Sequence, residues 1–584
     1  MVAPRWMGAL FALLIWSQSA DAAQKVLKFS ENGSPITLDP ASGSTMYGSM
    51  LRTAIYDTLY EYRYLKIPYE LKPNLAAGMP EISKDKKTYT IKLKKGVFFI
   101  DDACFANGKG REVTAQDVVY SIKRHFDPKT RSSGSWLWRG RLVGLKEWQD
   151  KGSDYSKKIE GIKALDKYTV QFNLIKPYPQ LIYTLAMSYA AVVPQEAVKK
   201  YGKEFAIHPV GSGPFRVEKF TPQKTILVKN EKYRKDVFDV VKEGYDEKKH
   251  GFTKIKSLNG KTLPIVDKVE VSFMKQPIAR WNSFTKGSEI QNAVIPPTMV
   301  DRVLASKTPP KLKPEYEKNY FLKPEPDFGL VYAFFNMDDP EIGFNKDPKR
   351  NEMNKALRCS IRSGFNWKQR IKRFYSGIGE PFPGIIPPTL DSYSDIGNDS
   401  IKYNPKQAKE ALKKAGWNKS NLPTLEYGMT SSVTMKQFYE QFRGWMKKIG
   451  YPSKKIKMKS FATFGDYSKA MKQRKIMFMS QGWAMDYPDS ENLMQLFYGP
   501  NSAPGSNYAN YQNPEFDKLY EQAASMLPSP ERRELYKKMN QILVDDCVTI
   551  SGFSRTILLV WHKNAIMVPT RNVVGNVFKY VDVE

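Results

Sequence analysis

The run Ile476-Met477-Phe478-Met479, carried through Ser480-Gln481 into Gly482-Trp483 and then to Asp486, constrains this chain more than any other stretch. Such an apolar run is long enough for one buried strand and too short to assign to a helix. A strand ending in Gly-Trp-x-x-Asp presents free backbone groups, an aromatic wall and a single carboxylate. Those are the parts that hold an extended chain with a positive end: backbone pairing, stacking and a charge-assisted hydrogen bond. The competing reading is a core tryptophan beside a solvated turn aspartate.

Strand and helix signals follow one another on both sides of it. Val26 to Ser30 reads as a first strand, and Met50 to Tyr64 has Leu51, Ile55 and Leu59 at helical spacing. Thr88 to Leu93 and Lys167 to Leu174 alternate as half-buried strands. Thr114-Ala115-Gln116-Asp117 is a capping-box start. Gly211-Ser212-Gly213-Pro214 fixes a tight turn before a strand at Phe215; it lacks the lysine and helix of a phosphate loop. Strands are expected at Val266 to Met274, Leu330 to Met337, Thr556 to Trp561 and Val577 to Val581, with a helix at Ile278 to Thr285. Asn404-Pro405, Asn513-Pro514 and Ser529-Pro530 each open a helix with an apolar face. No repeat, linker or low-complexity segment separates these elements, so the domains are interleaved.

Met1 to Ala22 reads as a secretory signal peptide: Arg5, an apolar core from Met7 to Trp16, and the small-x-small site Ala20-Asp21-Ala22. No cysteine follows that site, so no lipid anchor is expected. Cys104, Cys359 and Cys547 are too few for a disulfide framework. One bridge can form in an oxidising compartment, and the sequence does not choose the pair. His125, His208, His250 and His562 are isolated, with no metal-ligand spacing, so neither a metal nor a cofactor is expected. The net charge of +31 is spread along the chain rather than gathered in a tail. It reads as a solvated basic surface or a field for acidic ligands; nucleic acid is a poor partner for an exported protein.

Taken in order, the motifs resemble those of the periplasmic solute-binding proteins of peptide ABC transporters, the oligopeptide- and dipeptide-binding family. The likeness rests on LDP (38–40), AIYDTLYEY (54–62), DKKTYTIKLKKGVFF (85–99), VTAQDVVYSIKR (113–124) and GSGPFRVEKF (211–220). It continues in ARWNSFTKGSEI (279–290), YNPKQAKEALKKAGW (403–417), WAMDYPDSENL (483–493), YQNPEFDKLYEQA (511–523) and ERRELYKKMNQIL (531–543). The resemblance implies an α/β, two-lobed, three-domain fold with a hinge between lobes. Domain I would be 23–67, 196–328 and 553–584, domain II 68–195 and domain III 329–552. It also implies a peptide ligand, an inner-membrane ABC permease as partner, a monomer in the periplasm, and no enzyme activity. Asp486 would pair with the ligand's α-amino group beside Trp483 and Tyr487, and Gly482, Ala484 and Met485 would pair with its backbone. Thr45 and Met46 would face them, with Trp136 as a domain II aromatic.

The sequence departs from the family at Ser480, where oligopeptide binders can carry arginine, at Met485, where some carry a bridging cysteine, and at Gln291. The first departure leaves the carboxylate-binding residue unassigned. Other functions considered are a nickel, haem or sugar ligand on the same fold, a sensory binding protein, and an exported hydrolase. The last would need Asp486 and Asp489 as an acid–base pair.

Overall fold

Leu27 and Phe29 are buried core residues of β1 (Val26–Glu31), and burial continues through Ser30 and Glu31. A computed structural model describes residues 24–43, 45–287, 289–570, 573 and 575–584. The expected signal peptide lies outside the described residues, as do Ser44, at the end of a small-residue stretch from Ala41, and Ser288 of the Gly-Ser-Glu-Ile segment. β1 pairs in parallel with Lys268–Phe273, which runs antiparallel to Lys224–Lys229; Phe215–Phe220 completes this four-stranded sheet. The bend before Phe215 is structural: the Gly213 amide donates to the Ile55 carbonyl at 2.9 Å, and a Cβ on Gly211 would sit 2.1 Å from that same oxygen.

α1 (Met46–Ile55) begins at Thr45, whose hydroxyl accepts from the Gly48 amide, and stops short of the helix expected to reach Tyr64. Tyr56 is extended, and Tyr60–Tyr62 forms a strand against Leu71–Pro73. Two tyrosines buried across a strand pair outweigh the helical spacing of Leu51, Ile55 and Leu59. Between residues 68 and 195 a second four-stranded antiparallel sheet, Glu81–Ile82, Thr88–Lys92, Thr169–Asn173 and Ile162–Asp166, packs on Ala115–Arg124, which carries the expected capping box. The strand expected at Val577 to Val581 is instead a 3₁₀ turn, Phe578–Tyr580, followed by a short strand, Asp582–Val583. All three turn residues are buried, and Lys579 Nζ reaches both oxygens of Glu61, at 2.7 and 2.9 Å. Alternation is not the governing pattern there.

The other lobe is organised by a six-stranded sheet. Its strands in spatial order are Pro381–Phe382, Thr549–Phe553, β2 (Gly329–Phe335), Phe478–Ala484, β3 (Leu425–Thr430) and Ile456–Phe461. Phe478–Ala484 is β4. Its helices start where the sequence placed them. Asn404, Asn513 and Ser529 each cap with their side chains, and each is followed by proline at the first helical position. The core of this lobe runs from Phe328 to Phe553, separate from the core built on Leu27 to Val271 and Trp561 to Val581. The chain passes between lobes at Asp327–Gly329 and again at Phe553–Arg555. These crossings lie side by side: the Asp327 amide donates to the Arg555 carbonyl at 2.6 Å, and Ser554 Oγ to the Gly329 carbonyl at 2.7 Å.

The bridge left open by the sequence is Cys359–Cys547; Cys104 is free. It ties α2 (Pro348–Ser363) to the turn after α3 (Pro530–Asp545), across a sequence separation of 188. A loop that long removes much chain entropy from the unfolded state, on the order of 4–5 kcal/mol in the loop-closure account. Reduction, or Cys547→Ser with Cys359→Ser, is expected to lower Tm by several degrees in thermal melts. Identical melts for oxidised and reduced protein would show that the bridge contributes nothing.

Candidate functional site: a cleft between the lobes

β4 pairs with β2 over its whole length, from Phe478 opposite Phe335 to Ala484 opposite Gly329. Its other edge pairs with β3 only at Phe478 and Met479. From Gln481 to Ala484 that edge has no strand beside it, and Gly482 and Ala484 are exposed. Gly329 is required by the close approach of the two strands. A Cβ there would lie 2.1 Å from the Trp483 carbonyl oxygen.

Past Ala484 the chain turns, and a single buried side chain holds the turn. Asn492 Oδ1 accepts from the Trp483 indole at 2.9 Å and from the Asp486 amide at 3.2 Å, while its Nδ2 donates to Asp486 Oδ2 at 3.1 Å. The Met485 amide donates to the Phe328 carbonyl at 3.1 Å, which fixes the corner to the inter-lobe crossing. Asp486 has no cationic partner among the described residues, because no ion pair or further side-chain bond reaches it. Burial pushes its carboxyl pKa up; the Asn492 bond works against this, and the nearby Glu491 adds to it.

The cleft in which Asp486 sits has a volume of about 280 Å³ and is walled by both lobes. Ala484, Met485 and Asp486 come from one side; Thr45, Met46, Met50, Arg52, Tyr56 and Tyr62 from the other; Asp327 and Phe328 from the crossing. Five sequence-predicted residues, Asp486, Ala484, Met485, Thr45 and Met46, therefore meet in one cavity. Gly482 and Trp483 stand just behind it on β4. Tyr487 is directed elsewhere: its hydroxyl donates to Glu491 at 2.7 Å and its ring stacks on Tyr183, which belongs to the other lobe. Trp136 is not brought to the cleft. It is 43% exposed on the turn Ser135–Leu137, while Trp138, two residues on, is the buried one and donates to Thr184 Oγ1 at 3.2 Å. Asp489 does not form an acid–base pair with Asp486, since both its oxygens are held by Arg532, at 2.6 and 3.0 Å. Asn492, Arg52 and Tyr56 were not picked out from the sequence. Asn492 lies inside the quoted Trp-to-Leu stretch, and Arg52 interrupts the apolar face of Leu51 and Ile55; both are signals only in hindsight of the fold.

A family model for bacterial extracellular solute-binding proteins, family 5 (middle), matches residues 70–505. The chain belongs to that family. Among curated family 5 proteins, it is 26% identical over 550 residues to the dipeptide-binding protein of Escherichia coli K12, covering 91% of this chain and 90% of that one. It is 25% identical over 502 residues to heme-binding protein A of Haemophilus influenzae, covering 84% and 79%. Of solved structures, the unliganded open form of the murein tripeptide-binding protein MppA superposes with a TM-score of 0.74 at 19% identity, covering 96% of this chain and 98% of that one. The peptide-complexed DppA of Helicobacter pylori gives 0.64 at 24%, covering 96% and 98%. The two-lobed family 5 fold is thus established for this chain.

A raised carboxyl pKa is also a statement about stability. The folded-state value lies above the unfolded one, so the ionised Asp486 costs stability above its folded pKa, and that cost disappears as pH falls below the unfolded value. Asp486→Asn is therefore expected to raise the Tm of ligand-free protein near neutral pH, with the advantage vanishing under acid. Melts of both proteins across the acid range check this; a variant less stable than wild type at neutral pH would contradict it.

Proposed function

We propose that the protein is an exported solute-binding protein that captures peptides between two closing lobes and delivers them to an inner-membrane ABC permease. The observation that carries this reading is the Asp486 carboxylate, held in the cleft without a cation among the described residues. A peptide's α-amino group supplies the missing charge, and closure strengthens the pair by excluding water. The unpaired edge of β4 offers backbone groups to an extended ligand, with Trp483 as the wall beside it. Met46, Met50, Met187 and Met485 line the same cavity, and thioether side chains adapt to many shapes. That suits ligands whose side chains vary while their ends stay the same. Curated relatives named for dipeptides, di- and tripeptides and glutathione point to the same ligand class. No covalent chemistry is assigned to the cleft, because Asp489 is engaged by Arg532.

Export is supported by the Cys359–Cys547 bridge, since such bridges persist in oxidising compartments. We place the mature protein in the periplasm as a soluble monomer without a lipid anchor. The domain division at 67/68, 195/196, 328/329 and 552/553 is supported by the large sheets, whose strands keep to one proposed domain apart from the last residue of Thr549–Phe553.

Trialanine and N-acetyl-trialanine, titrated by calorimetry into wild type and Asp486→Asn, test the assignment. The variant keeps the shape and an acceptor for Asn492 but removes the charge. Breaking a buried charge pair costs about 3–5 kcal/mol, less where water remains. A loss of roughly 2–4 kcal/mol, about 30- to 1,000-fold in Kd, is expected for the free peptide. The acetylated peptide should bind wild type weakly and lose little more in the variant. If free trialanine binds both proteins alike, the amine is held elsewhere.

A further inference from the structure

Opposite Asp486, on the wall formed by the first lobe, lies a buried positive charge with no counter-charge among the described residues. Arg52 projects from α1, is 1% exposed and lines the cleft. Its Nε and Nη2 reach only the Ser188 hydroxyl, at 3.4 and 3.3 Å, and that hydroxyl already accepts from Ser49 at 3.0 Å. Nη1 has no partner. Asp39, the acid whose charge bears on Arg52, is committed to Arg124 through two bonds of 3.0 and 2.8 Å. Other arginines show two treatments: Arg358, also 1% exposed, donates to the Ile342, Gly343 and Asp546 carbonyls, and others hold carboxylates. Arg532 holds Asp489 through two bonds, and Arg234 holds Asp57 at 2.8 Å. Burial without a carboxylate pulls Arg52 down to about 10.

Arg52 is not alone in lacking a partner. Tyr56, just past the end of α1, has a buried hydroxyl with no hydrogen bond among the described residues. The Tyr62 hydroxyl and Asn576 Oδ1 are in the same condition, and all four residues line this one cavity. Buried polar atoms are nearly always satisfied, so four unsatisfied ones facing a single cavity point to a polar ligand rather than to packing. Glycine makes room for the guanidinium itself: a Cβ on Gly43 would stand 2.1 Å from Arg52 Nη1, and one on Gly48 2.7 Å from it.

We propose that Arg52, seconded by Tyr56, receives the ligand's terminal carboxylate. The Ser188 hydroxyl is then a neutral placeholder that a carboxylate displaces, exchanging long bonds to a hydroxyl for a charge-assisted fork. This rests on the reading that Asp486 takes the amine. It sharpens that reading, because a ligand held at both ends by opposite charges on opposite walls is a short zwitterionic peptide. Longer chains would have to bury their own backbone against Arg52 and leave its charge unpaired.

The test uses trialanine and its C-terminal amide with the full-length mature protein. Wild type is expected to bind the acid about 10- to 100-fold more tightly than the amide, the range of a charge-assisted bond. Arg52→Met should erase that preference by weakening the acid alone, and should raise the Tm of ligand-free protein by removing an unpaired buried charge. Arg52→Lys, which keeps the charge but loses the fork, should retain part of the preference; it also serves should the methionine variant fail to fold. Equal affinity of wild type for acid and amide would overturn the proposal, as would an equal loss for both ligands in either variant, which marks a structural role. Failure of the underlying reading looks different: trialanine would then not bind wild type at all, or would bind Asp486→Asn unchanged.

Discussion

The seven-residue pairing of β2 with β4 is the contact on which the site depends. β2 begins where the chain crosses between lobes, and β4 ends where the Asp486 corner begins, so Gly329 and Ala484 face one another across the ladder. The Phe328 carbonyl, one residue before β2, takes the Met485 amide, one residue after β4. The inter-lobe crossing and the Asp486 corner are therefore one piece of hydrogen-bonded backbone. A rotation at Asp327–Gly329 and Phe553–Arg555 would carry the corner with it while leaving the internal geometry of the corner unchanged. Asn492 completes the piece by locking Trp483 and Asp486 to the same side chain.

Against that rigid corner stand charges left deliberately incomplete. Asp486 on one wall is half-buried and Arg52 on the other fully buried, and among the described residues neither has an ionic partner, while the Arg124–Asp39 and Arg532–Asp489 pairs are made. Both cost the empty protein stability, which is the usual pattern where a site is prepared for something absent. Stability is supplied by the hydrophobic cores of the lobes and by the Cys359–Cys547 tie.

Much of this was readable from local chemistry. An Asn-Pro or Ser-Pro step followed by apolar residues every three to four positions determines a helix start by itself, and so does the box at Thr114. The apolar run before Gly482 marked only the start of β4, where Phe478 and Met479 are buried; from Ser480 on the strand is half-buried or exposed. What stayed hidden depended on distance along the chain. Nothing local distinguishes Cys359 from Cys104 as the partner of Cys547, and nothing local says that Arg52 lacks a carboxylate while Arg124 has one. Tyr60 and Tyr62 mislead for the same reason: their strand exists only because Leu71–Pro73 lies beside it. Trp136, expected to face the ligand, is exposed and does not line the cleft.

The claim at the centre of this account is that the corner ending β4 is a receptor for a cationic chain end. A crystal structure of the protein grown with a short peptide bearing free termini tests it most directly. The account predicts closed lobes, the peptide strand beside Gln481 to Ala484, and its terminal nitrogen within about 2.7–3.2 Å of an Asp486 carboxylate oxygen. A peptide lying in the cleft with its amine directed to solvent, or in the reverse orientation with its carboxylate toward Asp486, would contradict it.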